Sequence, residues 1–366
     1  MSTKKDKFSI KDKIFMELAL NLAKARHGLT GINPSVGCVI VKNNKILSIG
    51  QTGFKGTPHA EFNAIKNSHE NIEGSKMYVT LEPCSHYGKT PPCTNIIIKN
   101  KIKEVVYGVE DIDKKVKGKT LKILKSKNIL VKKDLLKKQI NKFYAPYFFN
   151  RKKNLPYVTG KIAISKNNLI YSKDTKRISD IHTDKFTHFL RYKNDSLMIS
   201  SKTLNKDDPK LNCRLEGLSK FSPKRIILDR NLEIKKNSYI FKTANKDNTI
   251  IFYHNAKAEV KLMLKKKGIT LIKSKLNKNS FDIKSILMKL YVLGCRNLLV
   301  EGGNDLSKHI IKKKLFNEFY LYKCSKSLSK LVNHKEFGFL KELKKNYKNK
   351  FKINKKLGKD VITLYK

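Results

Sequence analysis

The chain has no tryptophan and few acidic residues: 30 Asp and Glu stand against 80 Lys and Arg, a formal charge of +50 over 366 residues. An excess of that size points first to nucleic acid or another anionic surface. The basic residues, however, are nearly all lysine and run along the whole chain instead of clustering. Abundant Asn and Ile beside absent Trp is what AT-rich coding gives, so charge alone assigns no macromolecular partner. It would still draw phosphorylated small molecules. Long apolar runs are missing too: none approaches bilayer-spanning length, and the first fifteen residues mix Lys and Asp without an apolar core. Neither a membrane nor a secretory leader is expected, and the expected setting is cytoplasmic. Cysteine is sparse, at Cys38, Cys84, Cys93, Cys213, Cys295 and Cys324. In a reducing compartment, clustered cysteines are metal ligands before they are disulfides. Cys295, His309 and Cys324 lack ligand spacing and read as core or surface residues. No Gly-x-Gly-x-x-Gly occurs, which removes the sequence basis for a Rossmann dinucleotide site.

What is present suffices for two ordinary domains: 366 residues with 40% hydrophobic content. Residues 12–27 place Phe15, Leu18, Ala19, Leu22 and Ala23 on one helical face. Val36–Val41 suits a buried strand, Asn43-Asn44 a turn, and Ile46–Gly50 its hairpin partner. A helix is expected near Pro58, then strand Met77–Leu81, a helix at 92–99, strand Val105–Val109, a helix at 118–127 and strand Ile129–Val131. Alternating strands and helices indicate an α/β layer fold. The aromatic and basic stretch Ile140–Pro156 marks the boundary, and domains are expected at 1–148 and 149–366. A second α/β series follows, with strands at Tyr157–Ser165, Ser196–Ser200, Arg225–Asp229, Thr249–Tyr253, Asn297–Glu301, Glu318–Lys323 and Val361–Tyr365. The lysine-rich tail Lys341–Lys356 is expected to be solvated.

Chemistry concentrates in the first domain. Pro58-His59-Ala60-Glu61 opens a helix, Pro83-Cys84 follows a strand, and Cys93 comes just before another helix. One His and two Cys supply three zinc ligands and leave a fourth tetrahedral position for water, as a catalytic zinc requires. A helix N-terminus favours the thiolate that zinc needs. Glu61 is then a proton carrier rather than a ligand: it takes a proton from the attacking water and returns protons to the ring nitrogen and the departing ammonia. This combination of His-x-Glu and Pro-Cys is the zinc-deaminase signature. A structural zinc would want a fourth ligand, for which His86 is the only nearby candidate; it reads instead as substrate-facing.

The stretches Asn33-Pro34-Ser35-Val36-Gly37-Cys38-Val39-Ile40-Val41, His59-Ala60-Glu61 and Glu82-Pro83-Cys84-Ser85-His86-Tyr87-Gly88-Lys89-Thr90-Pro91-Pro92-Cys93 resemble the bifunctional riboflavin-biosynthesis deaminase/reductase family. Deaminases of tRNA or DNA carry the shorter Pro-Cys-x-x-Cys. The resemblance implies a cytidine-deaminase-like three-layer α/β/α domain, with Zn²⁺ on His59, Cys84 and Cys93 and Glu61 as acid/base. The implied substrate is 2,5-diamino-6-(5-phosphoribosylamino)pyrimidin-4(3H)-one, a phosphorylated pyrimidine, with Asn33 and His86 holding it and Lys89 and Thr90 able to approach.

The second half of that family is a dihydrofolate-reductase-like α/β domain that uses NADPH to reduce ribosyl to ribityl. Thr203 to Arg214 (Thr…Asp-Asp-Pro-x-Leu…Arg) and Val300-Glu301-Gly302-Gly303 resemble its motifs. They imply Thr203, Asp207, Gly302 and Gly303 against NADPH, and Arg191, Leu211, Arg214 and Glu301 against substrate, the arginines on its phosphate. The family's Ser-Leu-Asp-Gly, however, is Ser165-Lys166-Asn167-Asn168 here, and its Ser-Gly-x-x-x-Trp is Ser172–Arg177. Its Asp-Ser is Asp229-Arg230, and its Pro-x-x-Gly turn is Ser325–Ser329. Arg177 and Arg230 could meet NADP phosphates instead. Three alternatives remain at this point: a deaminase with a degenerate reductase half, a tRNA or single-stranded-DNA deaminase, and a non-catalytic zinc-stapled binding protein. Nucleic acid is the less favoured partner, and a homo-oligomer is expected.

Overall fold

The computed structural model describes residues 7–88, 90–173, 178–331, 333–353 and 358–366. Two compact units, Met1–Asn154 and Leu155–Lys366, divide the chain. The expected cut at 148 falls inside a helix, Lys137–Lys153, and is corrected to the residue after it. That helix stops at Asn154, which turns into the left-handed region (φ 53°) and caps Asn150 O, a role Asn fills with little strain.

The first unit runs α1 (Ile10–Arg26), β1 (Gly37–Lys42), β2 (Lys45–Gln51), α2 (Ala60–Lys66), β3 (Lys76–Leu81), α3 (Cys93–Lys99), β4 (Glu104–Val109), α4 (Lys119–Lys125), β5 (Leu130–Lys133) and α5 (Lys137–Lys153). Its sheet has the order β2-β1-β3-β4-β5, with β3, β4 and β5 parallel and β1 antiparallel to both neighbours. Two glycines reveal the layers. A Cβ on Gly37 would lie 1.9 Å from Ala19 O of α1, and one on Gly50 2.2 Å from Ala60 O of α2. Gly50 pairs with Cys38, the neighbour of Gly37, so the two glycines face opposite sides of the sheet. Helices therefore cover both faces, as the α/β/α expectation holds. Two-sided burial explains the unbroken apolar run Cys38-Val39-Ile40-Val41, which shows no strand alternation in the sequence.

The second unit contains β6 (Tyr157–Ile164), β7 (Leu169–Ser172), α6 (Ile181–Lys193), β8 (Ser196–Ser200), α7 (Ser201–Asp207), β9 (Lys224–Leu228), α8 (Tyr239–Lys242), β10 (Thr249–Tyr253), α9 (Ala258–Lys266) and β11 (Thr270–Lys273). It continues with β12 (Leu276–Asn277), β13 (Ser280–Phe281), α10 (Ile283–Val292), β14 (Asn297–Val300), α11 (Asn304–Lys312), β15 (Glu318–Lys323), β16 (His334–Glu336), α12 (Leu340–Asn346), β17 (Lys350–Lys352) and β18 (Val361–Tyr365). Its main sheet has the order β11-β10-β9-β8-β14-β6-β15-β18-β17, parallel up to β15 and antiparallel at β18 and β17. Strand alternation feeds two cores. Met198, Ile226, Phe252 and Leu298 enter one; Leu197, Ile227, Ile251 and Leu299 enter the other. The tail is not simply solvated: α12 and the residue after it bury Leu343 and Tyr347 in the first of these cores. Among the described residues no helix is long and apolar enough to cross a membrane.

Candidate active sites

In the first unit, helix α2 begins at Ala60 rather than Pro58, because His59 stays extended as the N-cap (φ −70°, ψ 158°). Its ring is thereby freed from the helix surface, while Glu61 enters the first helical turn and is buried. Cys84 follows β3 on an irregular segment, and Cys93 opens α3. His59 Nδ1 lies 3.2 Å from Cys93 Sγ and 3.5 Å from Cys84 Sγ. A tetrahedral zinc with ordinary Zn–N and Zn–S bonds separates N from S by about 3.5 Å, so the donor set fits that ion. All three ligand atoms fall within 4.8 Å of one another, and among the described residues no other such cluster forms. His86 is not part of it.

Electrostatics separate the two thiols. A hydrogen bond from Cys93 outweighs burial and, with His59, pulls Cys84 down to about 4. Burial pushes the Glu61 carboxyl up, against the pull of His59. Glu61, His59 and Cys84 line one cavity of ≈ 200 Å³. Asn33 and His86 line it as well. The Asn33 amide donates to Gly56 O at 3.0 Å, which fixes its loop. His86 Nδ1 is buried with no hydrogen-bond partner among the described residues, as suits a group awaiting a ligand. Lys89 lies outside the described residues.

In the second unit, a cavity of ≈ 350 Å³ opens past the carboxyl ends of β8 and β14, where open parallel sheets bind ligands. Thr203, Asp207, Leu211, Gly302, Gly303, Arg191 and Glu301 all line it. Gly303 is the N-cap of α11, and a Cβ there would come only to 3.5 Å from Thr203 Oγ1. Asn304 Oδ1, on the same lining, is buried with no hydrogen-bond partner among the described residues. A helix N-terminus that opens on the cavity, with its unpaired N–H donors, fits a phosphorylated cofactor. Gly302 has a second reason to be glycine, since a Cβ would crowd Leu306 at 3.1 Å.

The two arginines expected on phosphate behave differently. Arg191 gives Nε to Glu301 Oε1 (2.6 Å), Nη2 to Glu301 Oε2 (2.8 Å) and Nη1 to Asn212 O (3.1 Å), so each of its three nitrogens meets a protein acceptor while it lines the cavity. Arg214 is absent from the cavity lining and pairs with Asn212 Oδ1 at 3.0 Å. The altered motifs hold their shape. Asn168 takes φ 66° where the family has Gly, which Asn tolerates. Asn167 fastens the turn to Leu328 through both backbone groups, at 2.8 and 3.1 Å. Asp229 accepts from Ile234 N at 3.0 Å and is fully buried, a structural role. Arg230 is exposed, and Arg177 lies outside the described residues.

Sequence reasoning missed Lys161. It lines the reductase cavity, near Glu301 and Arg191, with its ammonium 4.9 Å from the Tyr322 ring centroid. Burial lowers its pKa, against the pull of Glu301. The available signal was a lysine in the middle of the apolar run Val158–Ile164.

Comparison with known proteins decides the family. Residues 9–109 match the cytidine and deoxycytidylate deaminase zinc-binding region, and residues 156–361 match the RibD C-terminal domain. The second match spans more than half of the chain. The chain belongs to the RibD family. Riboflavin biosynthesis protein RibD of Aquifex aeolicus is 33% identical over 358 residues, covering 97% of this chain and 98% of that protein. The RibD of Buchnera aphidicola subsp. Baizongia pistaciae is 33% identical over 383 residues, covering 96% and 97%. Acinetobacter baumannii RibD has a similar structure (TM-score 0.82, 26% identity, 97% of this chain and 98% of that one). So does a diaminohydroxyphosphoribosylaminopyrimidine deaminase/5-amino-6-(5-phosphoribosylamino)uracil reductase of Thermotoga maritima (TM-score 0.79, 26% identity, 97% and 98%). The fold is thus a cytidine-deaminase-like domain followed by a RibD reductase domain, and the chain is a deaminase and reductase of riboflavin biosynthesis. Zinc serves the first domain and NADPH the second.

Proposed function

We propose that the first unit deaminates 2,5-diamino-6-(5-phosphoribosylamino)pyrimidin-4(3H)-one at ring C2, and that the second reduces the ribosyl group of the product. The observation that carries this reading is one cavity lined by two of three clustered soft ligands and by a buried carboxyl outside the cluster. His59, Cys84 and Cys93 would hold zinc. When bound, zinc supplies a water acidic enough to attack near neutral pH. Glu61 takes a proton at its carboxylate and delivers protons to the ring nitrogen and the leaving amine. Asn33 and His86 orient the pyrimidine.

In the second unit Thr203, Asp207, Gly302 and Gly303 would hold NADPH, which when bound supplies hydride. Lys161 Nζ would hold the proton that the ribosyl ring oxygen needs as it opens. Glu301, held by Arg191, keeps that ammonium oriented. A cytoplasmic setting and a homo-oligomer complete the reading; light scattering tests the latter.

The test is a coupled assay on pure protein with metal analysis. Zinc near one per chain, ammonia release from the pyrimidine nucleotide and subsequent NADPH oxidation are expected. Ammonia release without NADPH oxidation would leave a deaminase with an inert second half. Deamination of tRNA or single-stranded DNA in preference to the nucleotide would overturn the substrate assignment.

A further inference from the structure

The deaminase cavity extends beyond the zinc ligands to a wall that adds, to Glu82 of the Glu-Pro-Cys motif, elements outside the zinc motifs. Asp111 stands on the segment after β4, and Tyr147 and Arg151 stand one turn apart on α5. Positions i and i+4 share a helix face, about 6 Å apart along the axis.

This wall is rich in acceptors. Tyr147 donates its hydroxyl to Asp111 at 3.1 and 3.3 Å from the two carboxylate oxygens. Asp111 is 6% exposed and also accepts from Asp113 N at 2.9 Å. Glu82, 3% exposed and on the same lining, accepts from Asp111 N (3.3 Å) and Gly118 N (3.2 Å) through Oε2. Its Oε1 is buried and has no donor among the described residues. Orphaned buried acceptors are costly, and a ligand carrying hydroxyl donors satisfies them.

At one end of this wall is a cation. The Arg151 guanidinium is 5.4 Å from the Tyr147 ring centroid and half-buried. Its charge reaches Asp111, partly opposing the upward push that burial gives that carboxyl. The other fixed cation on the described lining, Lys55, is exposed on a short turn at φ 62°. A guanidinium fork in a half-buried setting matches a phosphate better than a solvated ammonium does.

We propose that the ribosyl-phosphate arm of the deaminase substrate lies along Glu82, Asp111 and Tyr147, its hydroxyls on the two carboxylates and its phosphate on Arg151. The inference rests on the proposed deaminase reading. It assigns substrate discrimination to α5, outside the zinc signature.

The experiment measures deamination by the zinc-loaded full chain, with the phosphoribosylated pyrimidine and with the same compound after phosphatase treatment. In the parent chain the phosphorylated form has the lower KM. R151Q is expected to shrink that KM ratio roughly ten- to a hundredfold, the scale of a lost charge-assisted hydrogen bond. R151K, which keeps the charge but loses the fork, falls between. Ribose 5-phosphate inhibits the parent chain, and R151Q weakens that inhibition by a similar factor. Y147F raises KM for both forms alike, because the ribose is present in both. An unchanged KM ratio in R151Q and R151K overturns the inference, as does a selective loss in K55Q alone. If the parent chain deaminates neither form, the deaminase reading itself fails.

Discussion

Arg191 and Glu301 meet through two parallel hydrogen bonds of 2.6 and 2.8 Å, both side chains only 10% and 14% exposed. The pair joins α6 to the residue after β14 at the lip of the reductase cavity. Removing one member strands the other in a desolvated site, at a cost of roughly 3–5 kcal/mol. R191Q and E301Q are each expected to lower the unfolding free energy of the second unit by an amount of that order. The double substitution should cost less than the sum of the two. Additive losses in a urea double-mutant cycle would mean that the pair is not coupled.

The same pair sets an acid limit. Burial pushes the Glu301 carboxyl up, but the Arg191 charge and hydrogen bonds, with Lys161, overcome this and hold it at about 2 instead of its ordinary 4.5. A carboxyl lowered on folding adds stability that is complete above its unfolded pKa and is lost as pH falls through the folded one. The contribution of Glu301 should therefore fade between about pH 4.5 and about 2. The stability difference between the parent chain and E301Q should narrow over that window and be flat above it. A difference that stays constant down to pH 2 would contradict the assignment.

Glu61 and the ligand cluster have separable roles. E61Q keeps the shape of the helix start and leaves the three ligand atoms untouched. Zinc content by atomic spectroscopy should stay near one per chain, while deamination falls by at least ~10²-fold, the usual contribution of a positioned proton carrier. C84S should lose the metal itself. Loss of zinc in E61Q would place the carboxyl among the ligands.

Much of this was legible in the sequence, and the failures have physical causes. His59, Cys84 and Cys93 were readable because each sits at a turn or helix start whose local chemistry is visible within a few residues. The strands were readable because two-sided burial leaves unbroken apolar runs such as Cys38–Val41. Lys161 was hidden by composition: in a chain with 80 Lys and Arg, one more lysine carries no signal until its burial is known. Asp111, Tyr147 and Arg151 come together only through the packing of α5 against β4, which no local pattern encodes. The Glu301 partner of Arg191 was not legible because it lies 110 positions away. The cut expected at 148 falls short of the division after Asn154 because α5 is held by aromatic packing among Phe143, Tyr144, Tyr147 and Phe148, so its end showed no break in pattern.

Chelation should divide the two activities. The zinc cluster lies entirely in Met1–Asn154, and every described residue lining the reductase cavity belongs to Leu155–Lys366. Stripping the metal is expected to abolish ammonia release while NADPH oxidation on supplied deaminated product persists at its original rate. Zinc restores the first reaction. A parallel loss of both activities would mean that the second unit depends on the metal for its fold.

Lys161 provides the last test, through pH. Burial lowers its pKa from the ordinary 10.5, so its proton is given up more readily than that of a surface lysine. As a proton donor it must be charged to act, so reductase kcat should decline as pH rises through that lowered pKa. Below it the rate should be level with respect to this group. K161Q removes the proton but keeps much of the length of the side chain. NADPH oxidation should then drop by ~10²-fold or more, with KM for NADPH little changed because Lys161 is not on the helix N-terminus that would hold the cofactor. The alkaline fall should vanish from the residual rate. A K161Q protein that retains the parent profile would return the proton to water and leave Lys161 as no more than a counter-charge to Glu301.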